Sequence, residues 1–398
     1  MKEKFLRELA DIQTGPFGSQ LHKEDYVADG TPIVTVEHLG NKMFSEQNLP
    51  RVSNTDKNRL KKYVLKQGDI VFSRVGSVDR CSYVDQKHDG WMFSGRCLRV
   101  RPTSEIDSEY LYYYFCLEET KQFVRNIAVG ATMPSINTKL LGEVVVTFPE
   151  LEQQKRISGI LSAIDSKIEV NQKINDNLEQ QAAALFKSWF IDFSLFGGTV
   201  PENWEDTTLE NITTLITRGI APKYSDNSDQ TVVNQKCIRN HTIDLSLART
   251  HTPKAINEKW LKFGDLLINS TGDGTLGRVA QVWFAPKALT VDSHVTIVRP
   301  AREELIFYIG LWGILHEKEI ESLHTGSTGQ TELPRDRVKM LKLLLPDDSS
   351  LSRFNSIIAP MTSTIISNQE ENQKLANLRD TLLPKLMSGV IDVANVQL

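Results

Sequence analysis

Leu65-Lys66-Gln67-Gly68-Asp69-Ile70-Val71-Phe72-Ser73 returns later in the chain as Leu261-Lys262-Phe263-Gly264-Asp265-Leu266-Leu267-Ile268-Asn269, at an offset of 264 − 68 = 196. Gly76-Ser77-Val78-Asp79-Arg80 is answered by Gly274-Thr275-Leu276-Gly277-Arg278, at 278 − 80 = 198. The drift of two places an insertion around Gly272-Asp273. Val100-Arg101-Pro102 matches Val298-Arg299-Pro300, Gly130-Ala131-Thr132 matches Gly326-Ser327-Thr328, and Pro149 matches Pro346, all in order. A repeat of this period is half the chain, so the protein is a duplicated pair rather than a solenoid.

In each half the runs Asp69 to Ser73 and Asp265 to Asn269, short, apolar and bounded by turn residues, predict strands. Tyr110 to Ile127 and Glu303 to Leu323 carry patterns that predict one helix in each domain. Each half then ends in a long helical segment, Glu150 to Phe190 and Asp347 to Met387, nearly free of internal breakers. Pro384 is the exception and is expected to kink or end the last turn. The expected domains are 1–149 and 198–346, with connecting helices at 150–197 and 347–398. The fold class is α+β: two similar mixed α/β domains separated by two long helices in an antiparallel coiled coil, with pseudo-twofold symmetry.

The helix pairing follows from spacing. Ile157, Leu161, Ile164, Ile168, Asn171, Asn175, Leu178, Ala182, Leu185 and Trp189 alternate steps of four and three, the spacing of a coiled-coil seam. Adding 197 gives a second seam in which Asn368 and Asn372 occupy the places of Asn171 and Asn175. Antiparallel pairing about these asparagines brings together residues whose numbers sum to 543. Leu161 then meets Leu382, Leu185 meets Ile358 and Trp189 meets Phe354, and only Ile164 against Arg379 disagrees. A buried amide pair penalises other registers, so the four asparagines are the expected register device.

With 398 residues, 40% hydrophobic and 24% charged, the composition is globular and long enough for two cores. No apolar run reaches membrane-spanning length and no signal peptide opens the chain, so the expected location is the cytoplasm. The net charge of −4 gives no support to nucleic-acid binding, but local arginine clusters still neutralise phosphates. Cys81, Cys97, Cys116 and Cys237 lack the close pairing of zinc sites and read as reduced and structural; no metal site is expected.

Catalytic motifs are missing. Gly272 to Gly277 fits the dinucleotide pattern GxGxxG, but Arg278 to Phe284 after it looks like a strand where the fingerprint needs a helix. There is no phosphate loop, no HExxH, no GxSxG and no Asn-Pro-Pro-aromatic tetrapeptide. The histidines do not cluster, and Pro346-Asp347-Asp348 reads as a helix cap.

Leu151-Glu152-Gln153-Gln154-Lys155-Arg156-Ile157, with Leu185 to Phe193, resembles the central conserved helix of the specificity subunits of Type I restriction enzymes. Leu382-Leu383-Pro384-Lys385-Leu386-Met387-Ser388-Gly389 is similar to the C-terminal one, and the Leu-Lys-x-Gly-Asp and Gly-Ser/Thr-x-x-Arg motifs resemble those of target-recognition domains. The resemblance covers nearly the whole chain. It implies a non-catalytic protein whose two domains read the halves of a bipartite, asymmetric double-stranded DNA site across a gap set by the helices. It further implies two modification subunits that methylate adenine after flipping it out, and two restriction subunits that complete the nuclease. No cofactor is expected on this chain; S-adenosylmethionine, ATP and magnesium belong to those partners. Asp79 departs from Gly277 of the second half, which makes the first domain's turn the less safely transferred one.

Base reading needs side chains with paired donors or acceptors on exposed loops. The DNA-facing candidates in the first domain are Thr14, Gly15, Phe17, Ser19, Arg74, Ser77, Arg80, Arg96, Thr132 and Asn137. In the second they are Arg218, Lys223, Tyr224, Thr271, Thr275, Arg278, Ser327 and Gln330. Two other classes of function remain open: a coiled-coil interaction scaffold without DNA specificity, and an enzyme using the Gly-rich loop.

Overall fold

The computed structural model describes residues 1–18, 20–272, 274–326 and 331–393. The chain divides into two compact units, Met1–Val170 with Glu371–Leu398, and Asn171–Glu370.

Both units are built on one plan. In the first, a four-stranded antiparallel sheet runs in the order Ala10–Thr14, Cys97–Pro102, Ile70–Ser73, Cys81–Tyr83. Its counterpart in the second runs Thr213–Arg218, Val295–Pro300, Leu266–Asn269, Val279–Gln281. A parallel pair accompanies each sheet, Thr31–Val34 with Met92–Phe93 and Thr231–Val233 with Leu289–Val291. A two-stranded ribbon leads into each long helix, Lys2–Phe5 with Val145–Phe148 and Glu205–Thr208 with Lys342–Leu345.

The central strands are apolar throughout because both of their faces are covered. Ile70 and Phe72 enter one core and Val71 another, as do Leu266 and Ile268 against Leu267. Alternate side chains of a strand point to opposite faces, so a strand covered on both sides reads as a continuous apolar run.

The repeated Leu-Lys-x-Gly-Asp motif is structural. Gly68 and Gly264 turn at φ 89° and 86°, a region open to glycine. The following aspartate caps the turn, Asp69 accepting from Lys66 N and Asp265 from Lys262 N at 2.8 Å each. Each carboxylate also takes a bidentate arginine from the neighbouring strand, Arg101 on Asp69 at 2.7 Å twice and Arg299 on Asp265 at 2.8 Å twice.

The single helix expected in each domain is broken. The first is two helices, Ser108–Cys116 and Glu118–Ile127, separated where Leu117 turns extended at ψ 134°. The second is a short 3-10 turn, Glu303–Leu305, followed by Ile306–Leu315 and Glu317–Ser322, interrupted at His316. Leu117 packs against the core, and that contact overrides its helix preference.

The long helices are Leu151–Phe190 and Asp348–Met387, 40 residues each, or about 60 Å at 1.5 Å per residue. Pro384 lies in the last turn of the second, which ends at Met387, in keeping with the expected stop. Pro360, which the sequence reading passed over, also lies within it at an exposed position. Proline removes one N–H from the ladder, and the remaining turns carry the helix through both positions.

Within the first unit Ile157 and Leu161 share a core with Leu382 and Leu386. Within the second, Leu185, Phe186 and Trp189 share one with Phe354 and Ile358, and the Trp189 and Phe354 rings lie 5.6 Å apart. Rising numbers on one helix meet falling numbers on the other, which is antiparallel pairing inside each unit. Asn368 donates to the Asn175 side-chain oxygen at 2.8 Å, and Asn175 donates to Ile365 O at 3.4 Å. The mismatch at Arg379 is resolved by the neighbouring residue: Arg379 donates to Asp165 at 2.8 Å, and Tyr113 donates to the same carboxylate at 2.6 Å. Burial disfavours the Arg379 charge, but the bond and charge of Asp165 outweigh it and hold its pKa above the ordinary guanidinium value.

Candidate nucleic-acid interface

The first-domain candidates fall on four loops, around Gly15, Arg74, Arg96 and Thr132, and these loops converge on one edge. Gly15 N donates to Cys97 O at 3.2 Å, and a Cβ on Gly15 would stand 2.1 Å from Ser94 O. A Cβ on Gly95 would stand 2.3 Å from Pro16 O, so only glycine at both places lets these turns press together. Arg74 N donates to Arg96 O at 2.8 Å, Gly76 N to Pro134 O at 2.8 Å, and Ile136 N to Arg74 O at 3.0 Å.

The side chains on this edge differ in how free they are. The Arg74 guanidinium donates to Gly95 O at 3.2 Å and lies 5.7 Å from the Phe17 ring centre, with Phe17 itself exposed. Arg80 donates to Leu39 O. The Asn137 oxygen caps the short helix Thr138–Gly142, accepting from Leu140 N at 2.9 Å. Thr14 is half-buried at the end of its strand, while Ser77, Thr132 and Arg96 are exposed. Ser19 lies outside the described residues.

The second domain repeats this edge on the same backbone frame. Gly219 N donates to Val295 O at 3.1 Å and Ser270 N to His294 O at 2.8 Å. A Cβ on Gly219 would fall 1.9 Å from Val291 O. Glu332 pairs in antiparallel fashion with both Thr271 and Thr325, as Ser135 does with Val75 and Val129. Arg218 is held by Glu332 at 2.5 Å and by Leu333 O at 2.8 Å. Arg278 folds back onto Gly274 O at 2.7 Å, and Thr275 donates to Thr271 O at 3.3 Å. Lys223 is exposed, and Arg249 lies 3.6 Å from the Tyr224 ring centre. Burial, followed by the charge of Asp292, raises the Tyr224 hydroxyl above its ordinary pKa. Ser327 and Gln330 lie outside the described residues.

Sequence reasoning missed Gln235, Arg249, His294 and Glu332. Thr271 Oγ lies 2.7 Å from His294 Nδ1 and 3.2 Å from Gln235 Oε1, while Asn269 donates to Gln235 O at 3.0 Å. Carrying the offset of 198 from Val100 back to Arg96 points to His294, a signal that was available. A hydroxyl beside an imidazole is half of a nucleophile site, but the ring needs a third group to orient it. No described residue bonds His294 Nε2.

The turn at Asp79 does differ from its counterpart. Gly277 adopts φ 84°, and a Cβ there would stand 2.7 Å from Glu321 Cα, whereas Asp79 pairs with Arg125 at 2.6 Å. The GxGxxG run leads into the strand Val279–Gln281, not into a helix. Among the described residues no helix is long and apolar enough to cross a membrane.

Residues 1–180 match the family described as the Type I restriction modification DNA specificity domain. The chain is 28% identical over 320 residues to the Type I restriction enzyme MjaIX specificity subunit of Methanocaldococcus jannaschii, covering 74% of this chain and 71% of that one. It is 22% identical over 411 residues to the Type I restriction enzyme HindI specificity subunit of Haemophilus influenzae, covering 83% and 88%. The first 180 residues thus carry the Type I restriction modification DNA specificity domain, and the chain is similar over most of its length to Type I specificity subunits. Its fold is that of the Type I restriction-modification S subunit from M. genitalium, with a TM-score of 0.58 at 17% identity over 97% of this chain and 95% of that one. The family match stops at residue 180; the second half repeats the first in sequence and in the strand order of its four-stranded sheet.

Proposed function

We propose that the chain reads a bipartite, asymmetric site on double-stranded DNA for a Type I restriction-modification complex and supplies no chemistry of its own. The domain at 1–149 reads one half-site and the domain at 198–346 the other, while the helices at 150–197 and 347–398 set the gap between them. Two modification subunits carry S-adenosylmethionine and methylate adenine at the sites so marked. Two restriction subunits, with ATP and magnesium, complete the nuclease.

The observation that carries this reading is a constant frame bearing different side chains. The backbone bonds Gly15 to Cys97 and Arg74 to Arg96 recur as Gly219 to Val295 and Ser270 to His294. On that frame Arg74 is replaced by Ser270, Arg96 by His294 and Ser135 by Glu332. Two readers of unlike half-sites need one docking geometry and two sets of donors and acceptors, since phosphate contacts position and base contacts specify.

The test is methylome sequencing of a host expressing the chain with its modification subunits. The reading expects methylated adenines within a single two-part motif of fixed spacing. New methylation at a contiguous motif, or none from a soluble assembled complex, would overturn it.

A further inference from the structure

Position 96 of the first domain and position 294 of the second occupy the same place: each residue's carbonyl accepts the N–H of the residue that follows a central strand, Arg74 after Ile70–Ser73 and Ser270 after Leu266–Asn269, at 2.8 Å. We propose that this shared position is a base-reading position in each domain, with Arg96 recognising a guanine in one half-site and His294 reading a base edge in the other. The proposal rests on the DNA-reading function and deepens it.

The argument is one of elimination followed by geometry. Arg74, Arg80, Arg218 and Arg278 each place guanidinium hydrogens on backbone carbonyls of their own domain, namely Gly95, Leu39, Leu333 and Gly274. Arg96 is exposed and its guanidinium engages no described residue, so its fork of donors is available. An arginine fork matches the O6 and N7 acceptors of guanine, and this is the commonest specific contact in the major groove.

A free head is useful for reading only on a fixed stalk. The Arg96 stalk is fixed three ways. Arg96 O holds Arg74 N, Cys97 N donates to Ser94 O at 2.9 Å, and Ser94 N donates to Val34 O at 2.8 Å. Gly95, the preceding residue, is wedged against Pro16 O with no room for a Cβ.

The second domain builds the same stalk with a different head. His294 N donates to Asp292 Oδ1 at 2.9 Å, Asp292 N donates to Val233 O at 3.0 Å, and Val295 N donates to Asp292 O at 3.2 Å. Thr271 Oγ lies 2.7 Å from Nδ1 and holds that side of the ring, and Nε2 bonds no described residue. An imidazole presents one group to a base edge where arginine presents a fork, so the two domains discriminate differently at this position.

The experiment is equilibrium binding by the assembled complex to a panel of duplexes, each carrying one base-pair substitution in the wild-type site. Wild-type, Arg96→Ala, Arg96→Lys and His294→Arg complexes are compared at several salt concentrations. Loss of the whole DNA-reading function would show as no site preference in the wild-type complex. With wild-type preference established, Arg96→Ala should lose discrimination at one G·C pair of one half-site, on the order of ten- to a hundredfold, with the other half-site unchanged. Arg96→Lys should not restore it, because a point charge lacks the fork. His294→Arg should alter preference at one position of the other half-site. A uniform weakening of all duplexes by Arg96→Ala, with the salt slope reduced by about one and rescued by lysine, would make Arg96 a phosphate contact and overturn the proposal. Unchanged discrimination in Arg96→Ala would overturn it equally.

Discussion

Asp265→Ala should destabilise the second unit strongly, and the structure gives the scale. The carboxylate side chain is 1% exposed and its partner Arg299 is 11% exposed. Removing the acid strips Arg299 of two 2.8 Å bonds and leaves it only the carbonyls of Glu258 and Trp260. A charge left buried without its partner costs about 3–5 kcal/mol. At about 2–4 °C per kcal/mol for a domain of this size, the unfolding midpoint should fall by roughly 6–20 °C. Asp69→Ala in the first unit removes the same pair, but Arg101 is 29% exposed and can turn to water. Its cost should be smaller, about 1.5–3 kcal/mol, the worth of hydrogen bonds to a charged group. Calorimetry or thermal circular dichroism of the two variants, side by side, gives the ordering. Asp265→Leu combined with Arg299→Met should recover most of the loss, since the stranded charge is gone. A cost at Asp69 equal to or above that at Asp265, or no recovery in the double variant, would refute the reasoning.

Three further outcomes are expected. Asn368→Leu should cost about 1–3 kcal/mol in chemical denaturation because it strands the buried Asn175 amide, and adding Asn175→Leu should recover most of it. Inserting seven residues before Asn171 and seven after Asn372 keeps the seam, adds roughly 10 Å, and should lengthen the unread spacer by about two or three base pairs in a methylome, with both half-sites unchanged. Burial opposes the Asp347 charge, but Ser350 N at 3.0 Å, Ser350 Oγ at 2.8 Å and Trp204 Nε1 at 2.9 Å hold its pKa down to about 2. Its folded pKa is depressed, so its stabilisation is full above about pH 4 and fades as the pH falls through 2; the stability gap between wild type and Asp347→Asn, followed by Trp204 fluorescence, should narrow over that window.

The repeat was the most legible feature because both copies need the same special residues. Gly68 and Gly264 are fixed by positive φ, and Asp69 and Asp265 by the buried arginines across the sheet. The helix seam was legible because Trp189 and Phe354, or Leu161 and Leu382, are spaced by helix geometry alone. The breaks at Leu117 and His316 were not, since leucine carries no stop signal and the interruption follows from tertiary packing. At the Arg379 mismatch the pattern looked one position away from the answer, because the seam rule counts Ile164 and the charge is met by Asp165.

The candidate edge was legible as loops and not as side chains. Glycines whose Cβ would strike a neighbouring carbonyl, such as Gly15 and Gly219, mark where chains crowd. Which arginine is free depends on carbonyls far off in sequence: Arg80 meets Leu39 O, and Arg218 meets Leu333 O. No spacing rule encodes that. His294 was left among histidines that do not cluster, because the Thr271 hydroxyl that meets its ring comes from 23 residues earlier in the chain.

The central claim is that each half of the chain reads one half of the site. Its most direct test is methylome sequencing of hosts expressing, with the same modification subunits, either the wild-type chain or a chain whose residues 198–346 come from a Type I specificity subunit of different target. The account predicts that one half of the methylated motif changes while the other half stays as it was. A soluble, active hybrid that changed both halves, or neither, would contradict it.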